Sequence, residues 1–515
     1  MHTKVFSAAP IGVDAHLVQV EVDISFGIPK FDIVGLPDTA MRESSKRLGS
    51  AIKNSGFRFP AKKITVNLAP ANLKKEGTLF DLPITICILQ ALKEIDLSCA
   101  FIQETLFIGE LSLGGEIRPI KGALAIAYDA QRLGKKRVIL PRSNAQEAAL
   151  IDDIEIIGVH HLTELVAYIR GEHTIEPTKN LFNQLVQQQH ETGLDFKQVK
   201  GQLQAKRALQ VSAAGRHNIL FIGPPGSGKT MLAKRLPTIM PRPTFNEVLE
   251  TTKIYSICGK LENKSLILQR PFRSPHHTIS QAGLAGGGTY PQPGEISLAH
   301  NGILFLDELT EFKRDTLEVM RQPLENKVVS ISRVQQTLSF PASFLLVAAL
   351  NPCPCGFWGD KKRHCHCTRQ QVNKYLDKLS GPLLDRIDLQ ISVQSVEYDM
   401  IKAPDLQQES SAQMFEKINK ALAMQNKRFG TDHYWNGHMS ADQIEQHCTL
   451  TSSAEQLIKK AFDALNLSMR GYHKILKVAR TISDLEQSEL IDTQHIREAI
   501  MYRSLDQNLE QRRNM

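Results

Sequence analysis

The octapeptide Gly223-Pro224-Pro225-Gly226-Ser227-Gly228-Lys229-Thr230 constrains this chain more than any other feature. It follows the mostly apolar run His217 to Ile222 and precedes Met231-Leu232-Ala233-Lys234, so a buried strand must pass into a helix through a glycine-rich turn. The backbone N–H groups of such a turn surround phosphate oxygens, and the start of the helix adds its positive dipole end. Lys229 suits the β- and γ-phosphates, and Thr230 suits Mg²⁺. A glycine-rich turn with no ligand is the alternative. The strand before the loop needs neighbours, and two apolar runs, Ile303 to Leu306 and Phe344 to Ala349, read as strands buried on both faces.

Each of these runs ends in chemistry. The first opens into Asp307-Glu308, where a buried strand would hold two carboxylates rigidly. Asp307 suits Mg²⁺ and Glu308 suits polarising a water molecule. An apolar run ending in Asp-Glu also starts many helices, and only its position downstream of the loop makes it a partner. The second run leads to Asn351, whose amide either positions that water beside the γ-phosphate or simply ends a strand before Pro352. ATP and Mg²⁺ are therefore the predicted ligands.

The rest of the chain divides by pattern. Residues 1–173 mix alternating strands (Val18 to Ile24, Ile64 to Leu68), a buried run closed by Pro141, and helical stretches such as Ala123 to Arg132, which predicts an α+β domain. Residues 174–194 turn polar, with Pro177 and Gln187-Gln188-Gln189, and read as a linker. Residues 195–393 alternate strands and helices, the pattern of a parallel sheet flanked by helices, with a Cys-rich insertion at 352–368. Residues 394–515 lose strand signals, and Ile475, Val478, Ala479, Ile482 and Leu485 recur at helical spacing, predicting a small all-α C-terminal domain. The fold class is thus a multidomain α/β chain. No stretch approaches the roughly twenty apolar residues of a membrane span, so a soluble, cytoplasmic protein without a membrane partner is expected. A net charge of +8 permits a polyanionic partner without requiring one.

Cys353-Pro354-Cys355 and Cys365-His366-Cys367 place four of the eight cysteines within fifteen positions. Four thiolates suit tetrahedral Zn²⁺, although C-x-C is tighter than the usual C-x₂-C knuckle; reduced thiols packing a loop and a redox-sensitive cluster stay open. From Cys353 to Lys378 six Lys or Arg face two Asp, a surface suited to a phosphate backbone or simply to solvent. The adjacent His276 and His277 point in different directions, which favours a structural or interface role over a metal site.

Taken together, the nucleotide residues resemble those of AAA+ ATPases of the Mg-chelatase-related group, with Asn351 at the sensor 1 position. In Leu383-Leu384-Asp385-Arg386-Ile387-Asp388, Arg386 matches that family's arginine finger, and in Ser468-Met469-Arg470-Gly471, Arg470 resembles sensor 2 on a helical lid. The alternative for each is a surface or interdomain ion pair. A finger acting on a neighbour implies a ring, and the resemblance implies a homo-hexamer. Lys327 to Leu338 reads as a hairpin, and Ser280 to Tyr290 as a glycine-rich inserted loop. In the resembled group such elements face the channel, which suggests Lys327, Arg333 and Tyr290 as DNA contacts.

Gly109 to Gly122, followed by Val138-Ile139-Leu140-Pro141, resembles the proteolytic (S5 domain 2-like) domain of Lon proteases. The positions matching that family's serine and lysine hold Leu79 and Leu124, so a non-peptidase domain retained for assembly or binding is expected. The order of Lon-like domain, AAA+ core with a cysteine insertion and helical lid resembles the ComM/YifB family of competence-related proteins across essentially the whole chain. That resemblance implies a hexameric ATP-dependent motor or helicase that promotes branch migration during homologous recombination in natural transformation, with single-stranded and branched DNA and recombination proteins as partners. Two rival activities are a Mg-chelatase motor subunit and a Lon-like ATP-dependent protease; a non-enzymatic scaffold is the third alternative.

Overall fold

In the strand Asp14–Ser25 the alternating pattern resolves into two faces: Val18, Val20, Val22 and Ile24 are buried while the residues between them are partly exposed. The structure is a computed structural model that describes residues 1–73, 75, 77–187, 193–261, 264–288, 291–332, 337–360, 363–395, 408–432 and 434–503. The chain forms two compact units, one made of Met1–Gln189 with Val248–Leu268 and the other of His190–Glu247 with Gln269–Met515.

The first unit is built on a seven-stranded sheet in the order Lys30–Val34, Lys63–Ala69, Asp14–Ser25, His2–Ile11, Thr105–Phe107, Arg137–Pro141, Glu155–Val159. Its long strands pair antiparallel and its outer ones parallel, so it is a mixed sheet. The helix Asp81–Ala91 is apolar all round and almost wholly buried, while Ala123–Arg132 buries the face carrying Leu124, Ile126 and Ala127. Leu79 and Leu124 both lie in this core. Ser112 Oγ accepts the Glu116 amide at 2.9 Å inside a turn. Val248, Leu249 and Leu266, from a part of the chain that the sequence pattern assigns to the nucleotide core, also pack into the first unit's core.

The second unit contains a five-stranded, all-parallel sheet in the order Phe272–Arg273, Ile303–Leu306, Leu345–Leu350, Ile219–Ile222, Leu389–Ser392. Its three central strands are buried along their whole length, as uninterrupted apolar runs require. The first of these begins at Ile219, two residues later than the apolar run, because the Asn218 N–H is taken by the Asp388 carboxylate (3.2 Å) instead of the ladder. All five strands run the same way, so their carboxyl ends share one rim, where ligands bind in open α/β sheets. A separate antiparallel hairpin pairs Val328–Ser332 with Thr337–Pro341.

From Ser411 onward the described residues form helices: Ser411–Phe429, Ala441–His447, Ser452–Ala464, Met469–Leu485 and Thr493–Met501, with a short 3₁₀ turn at Asn436–His438. Ile475, Val478, Ala479 and Ile482 are buried as one stripe. A fully buried carboxylate ties three of these segments together: Asp484 receives Arg428 (2.5 and 2.8 Å), Arg480 (3.0 Å) and Asn436 Nδ2 (2.7 Å). Removing one member of a buried charge network strands the others, so Asp484→Ala is expected to cost about 3–5 kcal/mol, read as a lowered denaturation midpoint with the slope unchanged. Among the described residues no helix is long and apolar enough to cross a membrane.

Candidate nucleotide site

The loop Gly223–Thr230 leaves the carboxyl end of the strand Ile219–Ile222 and enters the helix Lys229–Arg235. Two glycines explain its shape. A Cβ on Gly223 would lie 2.0 Å from the Val393 carbonyl oxygen, so only glycine fits there, and Gly228 sits at φ +91, which L side chains rarely adopt. The Lys229 ammonium donates to the carbonyls of Gly223 (2.6 Å) and Pro224 (2.9 Å) and to Asn351 Oδ1 (3.1 Å). Burial pulls its pKa down, against the opposing charges of Asp307 and Glu308. Thr230 Oγ1 donates to Asp307 Oδ2 at 2.6 Å, and Asp307 Oδ1 accepts the Glu308 amide at 3.0 Å. Lys229, Thr230, Asp307, Glu308 and Asn351 therefore converge on one rim although up to 122 positions separate them.

This set fits a Mg-nucleotide. A hydroxyl facing a carboxylate is an oxygen pair of the kind Mg²⁺ takes, and the Ser227 hydroxyl is buried without a hydrogen-bond partner at the centre of the loop. Lys229 is parked on two carbonyls of its own loop, a weaker set of acceptors than phosphate oxygens.

One residue here escaped the sequence pattern as a site residue. His277 Nδ1 lies 3.5 Å from Glu308 Oε2, its ring stacked near His276 and edge-on to Phe312. Glu308 itself holds φ +51, uncommon for a side chain other than glycine. No spacing rule links position 277 to 308. The only available signal was a pair of histidines directly after the edge strand Phe272–Arg273 of the same sheet.

Arg386 and Arg470 come together, but not at this rim. Arg386 Nη2 lies 2.6 Å and Arg470 Nη2 2.9 Å from the same oxygen of Glu325, whose carboxyl is held below its ordinary range chiefly by the Arg386 hydrogen bond. The Arg386 carbonyl accepts from Asn218 Nδ2 at 2.9 Å. Asn218 directly precedes the strand Ile219–Ile222, whereas the phosphate loop follows it, so Arg386 stands at the amino end of the sheet, about 13 Å of strand away from the loop. Both arginines line a cavity of about 460 Å³ together with Arg216, Lys327, Lys474 and Lys477. The Arg386 Nε there is buried without a partner.

Lys327 sits at φ +56 at the foot of the Val328–Pro341 hairpin and lines that same basic cavity. Burial, then the charges of Arg216 and Lys477, push its ammonium down to about 8. Arg333 and Tyr290 lie outside the described residues, as do Lys361 and Lys362 of the basic stretch; Arg363 rests on the Phe357 ring at 5.1 Å.

The four cysteines do gather. The ligand atoms of Cys353, Cys355, Cys365 and Cys367 all lie within 4.8 Å of one another, with Cys353–Cys355, Cys353–Cys365 and Cys355–Cys365 sulfur separations of 3.4, 3.6 and 3.5 Å. None is disulfide-bonded. The backbone amides of Trp358 and Cys367 donate to Cys353 Sγ (3.3 Å) and Cys365 Sγ (3.4 Å). Burial pushes the Cys353 thiol up, and the Phe357 amide brings Cys355 down.

Comparison with known proteins agrees with this architecture. Residues 195–401 match the family described as magnesium chelatase, subunit ChlI; residues 20–144 match subunit ChlI of Mg-chelatase; and residues 408–503 match the subunit ChlI C-terminal family. The chain is 43% identical over 512 residues to the competence protein ComM of Haemophilus influenzae, covering 99% of each, and 41% identical over 512 residues to YifB of Escherichia coli, covering 99% and 97%. A weaker likeness, 29% over 142 residues and 26% of each chain, relates it to Lon protease 2 of Bacillus subtilis.

Proposed function

The chain belongs to the ComM/YifB family of Mg-chelatase-like proteins, and from that premise we propose that this ATPase works as a homo-hexameric DNA motor that drives branch migration during homologous recombination in natural transformation. The observation that carries the reading is the division of the nucleotide residues between the two ends of one sheet. Lys229, Thr230, Asp307, Glu308 and Asn351 stand at the carboxyl rim, Arg386 and Arg470 at or beside the amino rim. Arginines so placed serve a triphosphate on a second copy, which makes each site complete only between neighbours and favours a closed head-to-tail ring.

Each side chain then has a task. Backbone amides from Gly226 onward in the loop and the Lys229 ammonium would hold the β- and γ-phosphates; Thr230 and Asp307 would hold Mg²⁺, which would supply charge neutralisation. Glu308 draws a proton from the attacking water, Asn351 orients that water, and the neighbour's Arg386 and Arg470 meet the charge that develops on the γ-phosphate. The cation expected at the four thiolates is Zn²⁺, in a structural role.

Work on DNA would come from movement of the Val328–Pro341 hairpin, with Arg333 and Tyr290 contacting the strand. Lys327, at the hairpin's foot, would link that movement to the arginine cavity. Leu79 and Leu124 in the Lon-like positions support binding or assembly rather than peptide hydrolysis. Cytoplasmic recombination proteins are the natural partners of such a motor.

The decisive experiment follows strand exchange on three- and four-stranded branched DNA with MgATP, alongside ATP turnover with and without forked DNA. DNA-stimulated turnover and ATP-dependent migration are expected, both absent in Lys229→Ala. Turnover indifferent to DNA would overturn the reading. Glu308→Gln preserves shape and removes the basic carboxylate, so it is expected to bind ATP within about threefold of wild type and lose at least about 100-fold in kcat, leaving rings with trapped ATP.

A further inference from the structure

The cysteine insertion does not hang free of the nucleotide site. The turn Cys353–Gly356, closed by the Gly356 amide donating to the Cys353 carbonyl at 2.9 Å, lies against the phosphate loop itself. A Cβ built on Gly356 would fall 2.6 Å from Cδ and 2.8 Å from Cγ of Pro225, and 3.9 Å from Cγ of Asn351. A proline ring cannot rotate out of the way, so the backbone of Gly356 is in direct van der Waals contact with the loop. On its other side the same turn is continuous with Asn351, which accepts the Lys229 ammonium, and the loop's first amide, Gly223 N–H, donates to the Leu350 carbonyl at 3.2 Å.

The sulfurs of Cys353, Cys355 and Cys365 lie 3.4–3.6 Å apart and that of Cys367 within 4.8 Å of them, a spacing suited to a shared cation. A tetrahedral Zn²⁺ with Zn–S bonds of about 2.3 Å puts its sulfurs about 3.8 Å apart. The backbone amides of Trp358 and Cys367 point at Cys353 Sγ and Cys365 Sγ, the contacts that commonly orient metal-bound sulfurs. Without a cation only weak contacts between thiol groups hold the Cys353-Pro354-Cys355 and Cys365-His366-Cys367 segments together, so the turn loses its anchor.

We propose that the metal bound by Cys353, Cys355, Cys365 and Cys367 clamps Gly356 onto Pro225 and so sets the geometry of the phosphate-binding loop, making tight nucleotide binding dependent on the metal. This rests on the zinc reading of the cysteine cluster. The bound ion touches no nucleotide; it acts through the Cys353–Gly356 turn, and the four cysteines are positioning residues for Pro225 and Asn351.

The test uses the full-length protein, metal content measured by mass spectrometry, and equilibrium binding of a fluorescent, non-hydrolysable MgATP analogue. About one zinc per chain is expected as isolated. Stripping it with a thiol reagent and chelator, then reversing the reagent under chelator, is expected to weaken nucleotide binding at least tenfold, with recovery on adding Zn²⁺ alone and no loss of cooperative unfolding. Because cysteine variants can misfold, two glycine variants give a second reading. Gly356→Ala should keep zinc and weaken binding at least tenfold, whereas Gly359→Ala, at a comparable φ of +78 but with nothing within 4 Å of the added Cβ, should keep both zinc and affinity. Zinc present with affinity unchanged on its removal would overturn the clamp while leaving the zinc site standing. Absence of any bound metal after reconstitution would overturn both. Equal losses in Gly356→Ala and Gly359→Ala would assign the effect to backbone strain and also overturn the clamp.

Discussion

Lys229→Ala is expected to abolish ATP turnover and to weaken nucleotide binding by roughly 100-fold or more. The lysine is the cation positioned within the loop, and each charge-assisted hydrogen bond it makes is worth about 1.5–3 kcal/mol, so loss of two phosphate contacts reaches at least a hundredfold in affinity. The fold should survive, because in the structure the ammonium serves only two carbonyls of its own loop and the Asn351 amide. Titration with a fluorescent nucleotide, beside a denaturation curve, separates the two effects. Wild-type affinity in a folded variant would remove Lys229 from the assigned site.

Arg386→Ala is expected to behave differently, keeping nucleotide affinity and losing turnover by about 10³-fold or more, the usual range for a finger that meets the transition state. Its guanidinium sits beyond the amino end of the strand that carries the phosphate loop, so its own chain's nucleotide does not depend on it for binding. Glu325 would keep Arg470 as its remaining partner. The sharper result comes from mixing. Arg386→Ala chains combined with Lys229→Ala chains should regain part of the ATPase activity that neither has alone, because some interfaces then pair an intact loop with an intact finger. Mixtures as inactive as their components would contradict a shared site.

The nucleotide rim was readable from the sequence because its parts are local. Gly223 to Thr230 need only a strand before and a helix after, and Asp307 and Glu308 need only the end of an apolar run. Strand positions in both units followed their patterns for the same reason: burial on one face gives Val18, Val20, Val22 and Ile24 their alternation, and burial on both gives Ile303–Leu306 its unbroken apolar run. Where the pattern misled, a side chain had taken over a backbone group, as Asp388 does at Asn218. The segment Val248–Leu268 was harder still. Its apolar residues declare that they are buried, but not in which core, and they are buried in the first unit's.

By itself, then, the sequence singled out the candidate residues: a phosphate loop, two carboxylates, an asparagine and four cysteines by their neighbours along the chain, and Arg386 and Arg470 by family resemblance. Tertiary structure alone decided which of them act together. Arg386 and Arg470 converge on Glu325 across 145 positions, His277 reaches Glu308, and the cysteine turn rests on Pro225. Periodicity and capping report interactions a few residues long, whereas these contacts arise from the order in which parallel strands are laid side by side, and that order is set by the packing of the whole core.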